Sequence, residues 1–356
     1  MIEIKNKYKF LILIIVVLTT SIMYIKFGKK DLKNDVSIEN AKIKSGNLSV
    51  DYTIEQTLED IEKLGLNTIN IPIQVDIENL KSDKFNINQE SKNKAINLMK
   101  KLKRKNINII LEAYPWINKG EDYETQWQPN NIDIFFENWK NILNEVVNDL
   151  GKPFDVFAIN VASNFVFIEK YEDKWCEVVD YVRKEFDGFI TYRTSWWYTA
   201  KWDLSTYEKY NEKINNLVFG KVDFISVSAY FELSDKNINT KDEIVEDLFN
   251  TKIHNREQDV KKELYEFHKK WNKPIFFGEL GFPRLDGALK EPWNVLISNT
   301  PNNIEQSIGF EAYKEVFENE DWNMGFSIFA IGNRESDKLY YPSSESVKII
   351  KSWYEE

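Results

Sequence analysis

The chain has 356 residues, 42% hydrophobic and 14% aromatic, enough apolar side chain to bury one large α/β core or two ordinary ones. A net charge of −10 disfavours nucleic acid as a partner, because phosphate contacts need a basic face. One cysteine, Cys176, excludes an intrachain disulfide, and with only two histidines, His254 and His268, neither a metal site nor any other cofactor is expected.

Residues 1–9 form a short tail with three lysines. Residues 10–25, Phe10 to Ile25, then run sixteen positions without a charge. This segment predicts a single-pass transmembrane anchor, since Lys9 and Lys26 can snorkel and extend it. No small-x-small pattern follows it, which favours an anchor over a cleaved signal peptide. Lysines flank both ends, so the charge rule orients the anchor weakly. The expected location is the cell membrane, with the folded domain extracytoplasmic. Residues 26–40 are polar, without period, and read as a tether.

From 41 to 356 short apolar runs alternate with longer amphipathic segments, the pattern of successive βα units. A weak first strand near 41–44 precedes a helix over 53–65 and a strand over 67–73. A helix over 90–105 leads to a strand over 107–114, and a helix over 132–151 to a strand over 154–162. A helix over 174–186, with Cys176 as a core thiol, is followed by a strand over 188–194 and a helix over 205–217. A strand over 222–230 precedes one long helix over 255–271, which places both histidines on a solvated face. Strands over 274–280 and 324–331, each followed by a helix, close the chain. Eight βα units predict an α/β fold, a single (β/α)8 TIM barrel. A doubly wound sheet is disfavoured, because strand two leaves through "IPIQVD" and not through a glycine-rich phosphate turn.

A barrel keeps its chemistry at the C-terminal ends of its strands. Those ends offer Glu112 and Trp116, Arg193, Trp196 and Trp197, Tyr230 and Glu232, and Glu279 in "FFGELGF". The loops add Tyr123, Trp127, Trp202 and Trp293. Exposed aromatic rings above a carboxylate suit sugar rings, so Trp116, Arg193, Trp196, Trp197 and Trp293 are candidate substrate-binding residues for a poly- or oligosaccharide. The glycines around Glu279 suggest a backbone kept small so that a sugar can approach.

Three blocks carry a resemblance: "ITYRTSWW…WD", "DFISVSAYFELSD" and "GELGFPRLDGALKEPW", with Asp286, Gly287, Pro292 and Trp293 in the last. Over about 41–350 the chain resembles glycoside hydrolase family 113, a β-mannanase-like group within the clan of (β/α)8 retaining glycosidases. The resemblance implies that Glu279 is the nucleophile, that Tyr230 holds it, and that Trp293 and the strand-five tryptophans line a sugar cleft. It also implies an Asn-Glu pair at the end of strand four, where this chain has Val161 and Ala162. On strand eight, Phe329 or a neighbour stands where the clan commonly has tryptophan. Retaining hydrolysis needs two carboxyl groups, so Glu112, at the end of the adjacent strand three, is the candidate for a relocated acid. The expected function is hydrolysis of a β-linked, mannan-like polysaccharide. The alternatives are a glycan-binding or polysaccharide-assembly protein without turnover, which the missing acid favours, and a transferase that resolves the same glycosyl-enzyme with a hydroxyl acceptor.

Overall fold

The computed structural model describes residues 42–334 and 339–355, so the expected anchor and tether lie outside the described residues. Among the described residues no helix is long and apolar enough to cross a membrane.

Eight parallel strands form the barrel: β1 (Ile43–Leu48), β2 (Thr68–Ile77), β3 (Asn108–Ile117), β4 (Ala158–Ser163), β5 (Phe189–Ser195), β6 (Phe224–Ser228), β7 (Ile275–Leu280) and β8 (Asn323–Ile331). Each pairs with its neighbour in chain order, and β1 pairs with β8 to close the ring. A two-residue strand, Asn86–Ile87, adds an antiparallel edge to the upper end of β2. The outer helices are α1 (Ile54–Leu64), α2 (Gln89–Leu102), α3 (Ile132–Glu145), α4 (Glu172–Glu185), α5 (Leu204–Asn215), α6 (Lys241–Phe249), α7 (Val260–Trp271), α8 (Asn303–Phe317) and α9 (Ser344–Ser352).

Local chemistry sets these boundaries. The Thr53 side chain accepts the Gln56 N–H at the start of α1, and Gly65 ends that helix in the left-handed region at φ 64°. β1 runs further than its apolar residues alone suggest, because β2 and β8 supply its hydrogen bonds from both sides. The helix expected over 255–271 is α7, which starts later, at Val260, and a separate helix, α6, precedes it. His254 lies in the turn between them at φ 51°, while His268 on α7 is half-buried and stacks on Tyr265 and Trp322. Cys176 on α4 is half-buried. A capping box starts α6: the Thr240 hydroxyl accepts the Glu243 N–H, and the Glu243 carboxylate accepts the Thr240 N–H. "T-K-D-E" is that signal in the sequence.

One part of the core bears on the site. Phe85, Trp127, Phe135, Trp139, Phe165 and Trp175 form a buried aromatic cluster with mostly edge-to-face contacts. Trp127 belongs to the long loop after β3 and is fully buried, its indole N–H donating to the Ser82 carbonyl at 3.0 Å. Phe165 follows the end of β4, and its ring centroid lies 5.6 Å from that of Trp127. These two rings pin the β3 loop against the exit of β4.

Thr240→Ala removes one half of the α6 cap and should lower stability by about 1 kcal/mol, read as an earlier midpoint in urea unfolding.

Candidate active site

Glu279 ends β7 opposite Ser228 of β6 in the strand register. Its carboxylate is 8% exposed and makes three contacts: an ion pair with Arg193 at 2.9 Å, the Ser228 hydroxyl at 3.1 Å and the Asn164 amide nitrogen at 3.5 Å. The glycines beside it make room for protein, not for a sugar, which corrects the sequence reading. A Cβ on Gly278 would lie 1.9 Å from Ser226 Oγ and 2.9 Å from Arg193 Cδ. On Gly281 it would lie 2.6 Å from the Phe329 carbonyl oxygen.

Arg193 is the hub of the site. It is 2% exposed and pairs with Glu112 as well as Glu279. Glu112 takes a second hydrogen bond from Asn70 Nδ2 at 2.9 Å, and Asn70 also donates to the Asn47 side chain. Asn47 Nδ2 donates in turn to the carbonyls of Gly278 at 2.7 Å and Ser327 at 3.3 Å. Side chains or carbonyls from β1, β2, β3, β5, β6, β7 and β8 thus meet around one guanidinium, and Asn164 joins from the exit of β4. Glu112 lies level with Asn160 of β4 and is 2% exposed. The relocation expected from sequence therefore meets a physical obstacle. Both oxygens of this buried carboxylate are occupied, one by the Arg193 guanidinium and the other by the Asn70 amide, which leaves neither facing a leaving group.

Another carboxyl comes near instead. Glu124, in the loop after β3, accepts from Asn164 Nδ2 at 3.2 Å, the same nitrogen that faces Glu279. The two carboxylates are thus no farther apart than those two separations laid end to end. Asn164 sits at φ 57°, a left-handed conformation that asparagine tolerates, and its N–H donates to the Arg193 carbonyl at 3.0 Å. Its side-chain oxygen faces the hydroxyls of Ser228 at 2.8 Å and Ser195 at 3.2 Å, which fixes which way the amide nitrogen points. Burial, and next the charge of Glu279, push the Glu124 carboxyl up to about 7. Burial likewise raises Glu279 above its ordinary value, against the opposing pull of Arg193 and of its hydrogen bonds. The sequence reading passed over Glu124 because "EDYETQW" has no period and lies beyond the strand end.

The candidate binding residues divide. On β3, Glu112, Tyr114 and Trp116 succeed one another on one face, from the buried interior to the half-exposed rim. Trp116 borders an open cavity of about 840 Å³ with Gln74, Asp76, Lys84, Asn86 and Lys119. Trp293 is 49% exposed, and its indole N–H donates to Glu232 at 3.0 Å. Glu232 also pairs with Arg256 at 2.7 Å, whose guanidinium lies over the exposed Tyr198 ring. Trp196 is half-buried. Trp197 turns away from the rim: it is 6% exposed, packs on Tyr210, Phe231 and Phe267, and donates to Glu263 at 2.8 Å. Its place is the packing between barrel and helices, as is that of Trp127. Tyr230 is 9% exposed and packs edge-to-face on Phe329 and Tyr340. Ser228, two residues before it, places its hydroxyl 3.1 Å from Glu279. Among the described residues no cluster of histidine, cysteine and acidic side chains is arranged to hold a metal ion.

The model of Glycoside Hydrolase Family 113 matches residues 41–340. The chain belongs to this family. It is accordingly a glycoside hydrolase by descent, and its solved neighbours share the barrel. A β-1,4-mannanase of the same family superposes with a TM-score of 0.67 at 18% identity, covering 88% of this chain and 99% of that one. A family-113 β-mannanase from Alicyclobacillus acidocaldarius, solved in complex with ManMIm, gives 0.70 at 16% identity over 89% and 99%. A β-glucuronidase from an uncultured Clostridium sp. gives 0.56 at 16% identity, over 88% of this chain and 50% of that one. Likeness at these identities establishes the fold. No curated protein matches the chain.

Arg193→Met would leave Glu112 and Glu279 buried without their cation. The expected cost is about 3–5 kcal/mol, measured by chemical denaturation of the described barrel.

Proposed function

We propose that this family-113 barrel hydrolyses a β-linked glycan by a retaining mechanism, with Glu279 as the nucleophile. The observation that carries the reading is the position of Glu279: at the end of β7, oriented from behind by Arg193 at 2.9 Å and from the side by Ser228 at 3.1 Å. Such a carboxylate is aimed by its neighbours, and Arg193 and the hydrogen bonds favour its charged form against the effect of burial, which is the form that attack on an anomeric carbon requires. Arg193 pairs with Oε1, and Ser228 and Asn164 face Oε2, so the bond to the anomeric carbon forms at a lone pair that these contacts leave. Trp293 and Trp116 offer ring faces for pyranose units on two sides of the rim, and the cavity beside Trp116 carries the amide, carboxylate and ammonium groups that sugar hydroxyls pair with.

Membership of the family and the mannanases among its neighbours support a mannan-like substrate. The charge-free run over 10–25 supports a membrane tether that keeps the barrel extracytoplasmic. A second reading, a glycan-binding barrel without turnover, is favoured by one observation: Ala162, where the family's pattern puts an acid on β4, carries no titratable group.

Incubation with a 2-deoxy-2-fluoro β-mannosyl fluoride should trap a covalent adduct on the peptide that contains Glu279, detected by mass spectrometry. β-1,4-Manno-oligosaccharides should be cleaved with retention at the anomeric centre, and Glu279→Gln should abolish cleavage while leaving oligosaccharide binding in place. Binding by both proteins with neither adduct nor cleavage would establish the second reading.

A further inference from the structure

We infer that Glu124 supplies the proton that Ala162 cannot, so that the loop after β3, and not strand β4, carries the acid/base carboxyl of this barrel. The inference rests on the nucleophilic role of Glu279 and adds the partner that role requires. Three observations support it.

The first is position. Asn164 Nδ2 lies 3.2 Å from Glu124 and 3.5 Å from Glu279, which bounds the separation of the two carboxyls. That bound admits the roughly 5–5.5 Å spacing of retaining glycosidases. Glu124 is half-buried beside Tyr123, which is 66% exposed, so a substrate entering from solvent reaches it.

The second is availability. Glu112 is held by Arg193 and Asn70, Glu232 by Arg256 and Trp293, and Glu169 by Lys213 at 2.7 Å and the Thr194 hydroxyl. Glu124 touches no cation among the described residues. The groups facing it are Tyr114 of β3, Glu279 of β7 and, behind Glu279, Arg193 of β5. Three carboxyls, Glu112, Glu124 and Glu279, therefore share one guanidinium, and like charges this close do not all ionise. Arg193 contacts the other two directly. The proton belongs on Glu124, and its elevation to about 7 agrees with that.

The third is rigidity. Trp127, three residues after Glu124, and Phe165, next to Asn164, are locked edge-to-face at 5.6 Å within the buried aromatic cluster. A short 3-10 turn over Glu124–Gln126 joins the acid to that anchor. The loop is thus held like a strand end, which a positioned acid needs.

In the first step a Glu279 oxygen bonds to the anomeric carbon, the glycosidic C–O bond breaks, and the departing oxygen takes the Glu124 proton. The products are a glycosyl ester, a free hydroxyl and a Glu124 carboxylate. In the second step that carboxylate takes a proton from water as the water oxygen displaces Glu279, which restores both groups.

The test compares wild type, Glu124→Gln, Glu124→Ala and Glu279→Gln on 2,4-dinitrophenyl β-mannoside, whose leaving group needs no proton, and on β-1,4-manno-oligosaccharides. Glu124→Gln should lose about 10²–10⁴-fold on the oligosaccharides and far less in forming the glycosyl-enzyme from the dinitrophenyl glycoside. Azide should revive Glu124→Ala and yield a β-mannosyl azide. Wild-type activity should fall as pH rises through about 7, where Glu124 loses its proton, and this alkaline limb should vanish in Glu124→Gln. Wild-type turnover with an unimpaired Glu124→Gln, or equal loss on both substrates without azide rescue, would overturn the inference and leave Glu279 in place. A wild type inert toward both substrates and untouched by the fluoro sugar would overturn the hydrolase reading along with it.

Discussion

The buried guanidinium of Arg193 is the constraint around which the barrel interior is arranged. A cation 2% exposed is tolerated only where carboxylates and carbonyls replace its water, and here Glu112, Glu279 and the Gly278 carbonyl do so. Much else follows from housing it. Position 278 is glycine because Ser226 Oγ, and behind it the Arg193 stem, stand where a Cβ would go. Asn70 and Asn47 satisfy the outer lone pairs of Glu112 and the carbonyl of Gly278, which links the two counter-ions through β1 and β2. The residue that attacks in the proposed reaction is thereby oriented by a network that seven strands and the exit of β4 help to hold.

A second constraint lies outside the ring. The aromatic cluster around Trp127 and Phe165 is packing in the ordinary sense, with rings meeting at edges and faces away from solvent. Its consequence is chemical: it fixes a loop that carries Glu124 against the β4 exit that carries Asn164. In this way the barrel keeps a second carboxyl, Glu124, beside Glu279. In the inferred reaction the proton donor enters from a neighbouring βα unit. TIM barrels permit this, because adjacent βα loops open onto the same face.

Much of the architecture was legible in the chain. Alternation of apolar runs with amphipathic segments marked eight βα units, the strand ends pointed to Glu279 and Arg193, and the loop after strand seven to Trp293. The helix Lys241–Phe249 carries a local signal too, the Thr240–Glu243 box, although nine residues are too short a window for a reading by periodicity. Trp197 and Trp127 were misplaced on the rim because the position of an aromatic at a strand end does not say which way its ring turns. Glu112 looked like a proton donor for a related reason: its charge partner, Arg193, is 81 residues away in the chain.

By itself the sequence determined the barrel, the family and the nucleophile candidate, since all three are written in local periodicity and in short contiguous blocks. Only the tertiary structure decided which of the site's carboxyls is left without a cation partner among the described residues. That choice depends on which acids share the Arg193 charge and which do not, and such sharing is set by side chains from different strands meeting at distances of about 3 Å, a relation with no trace in linear spacing.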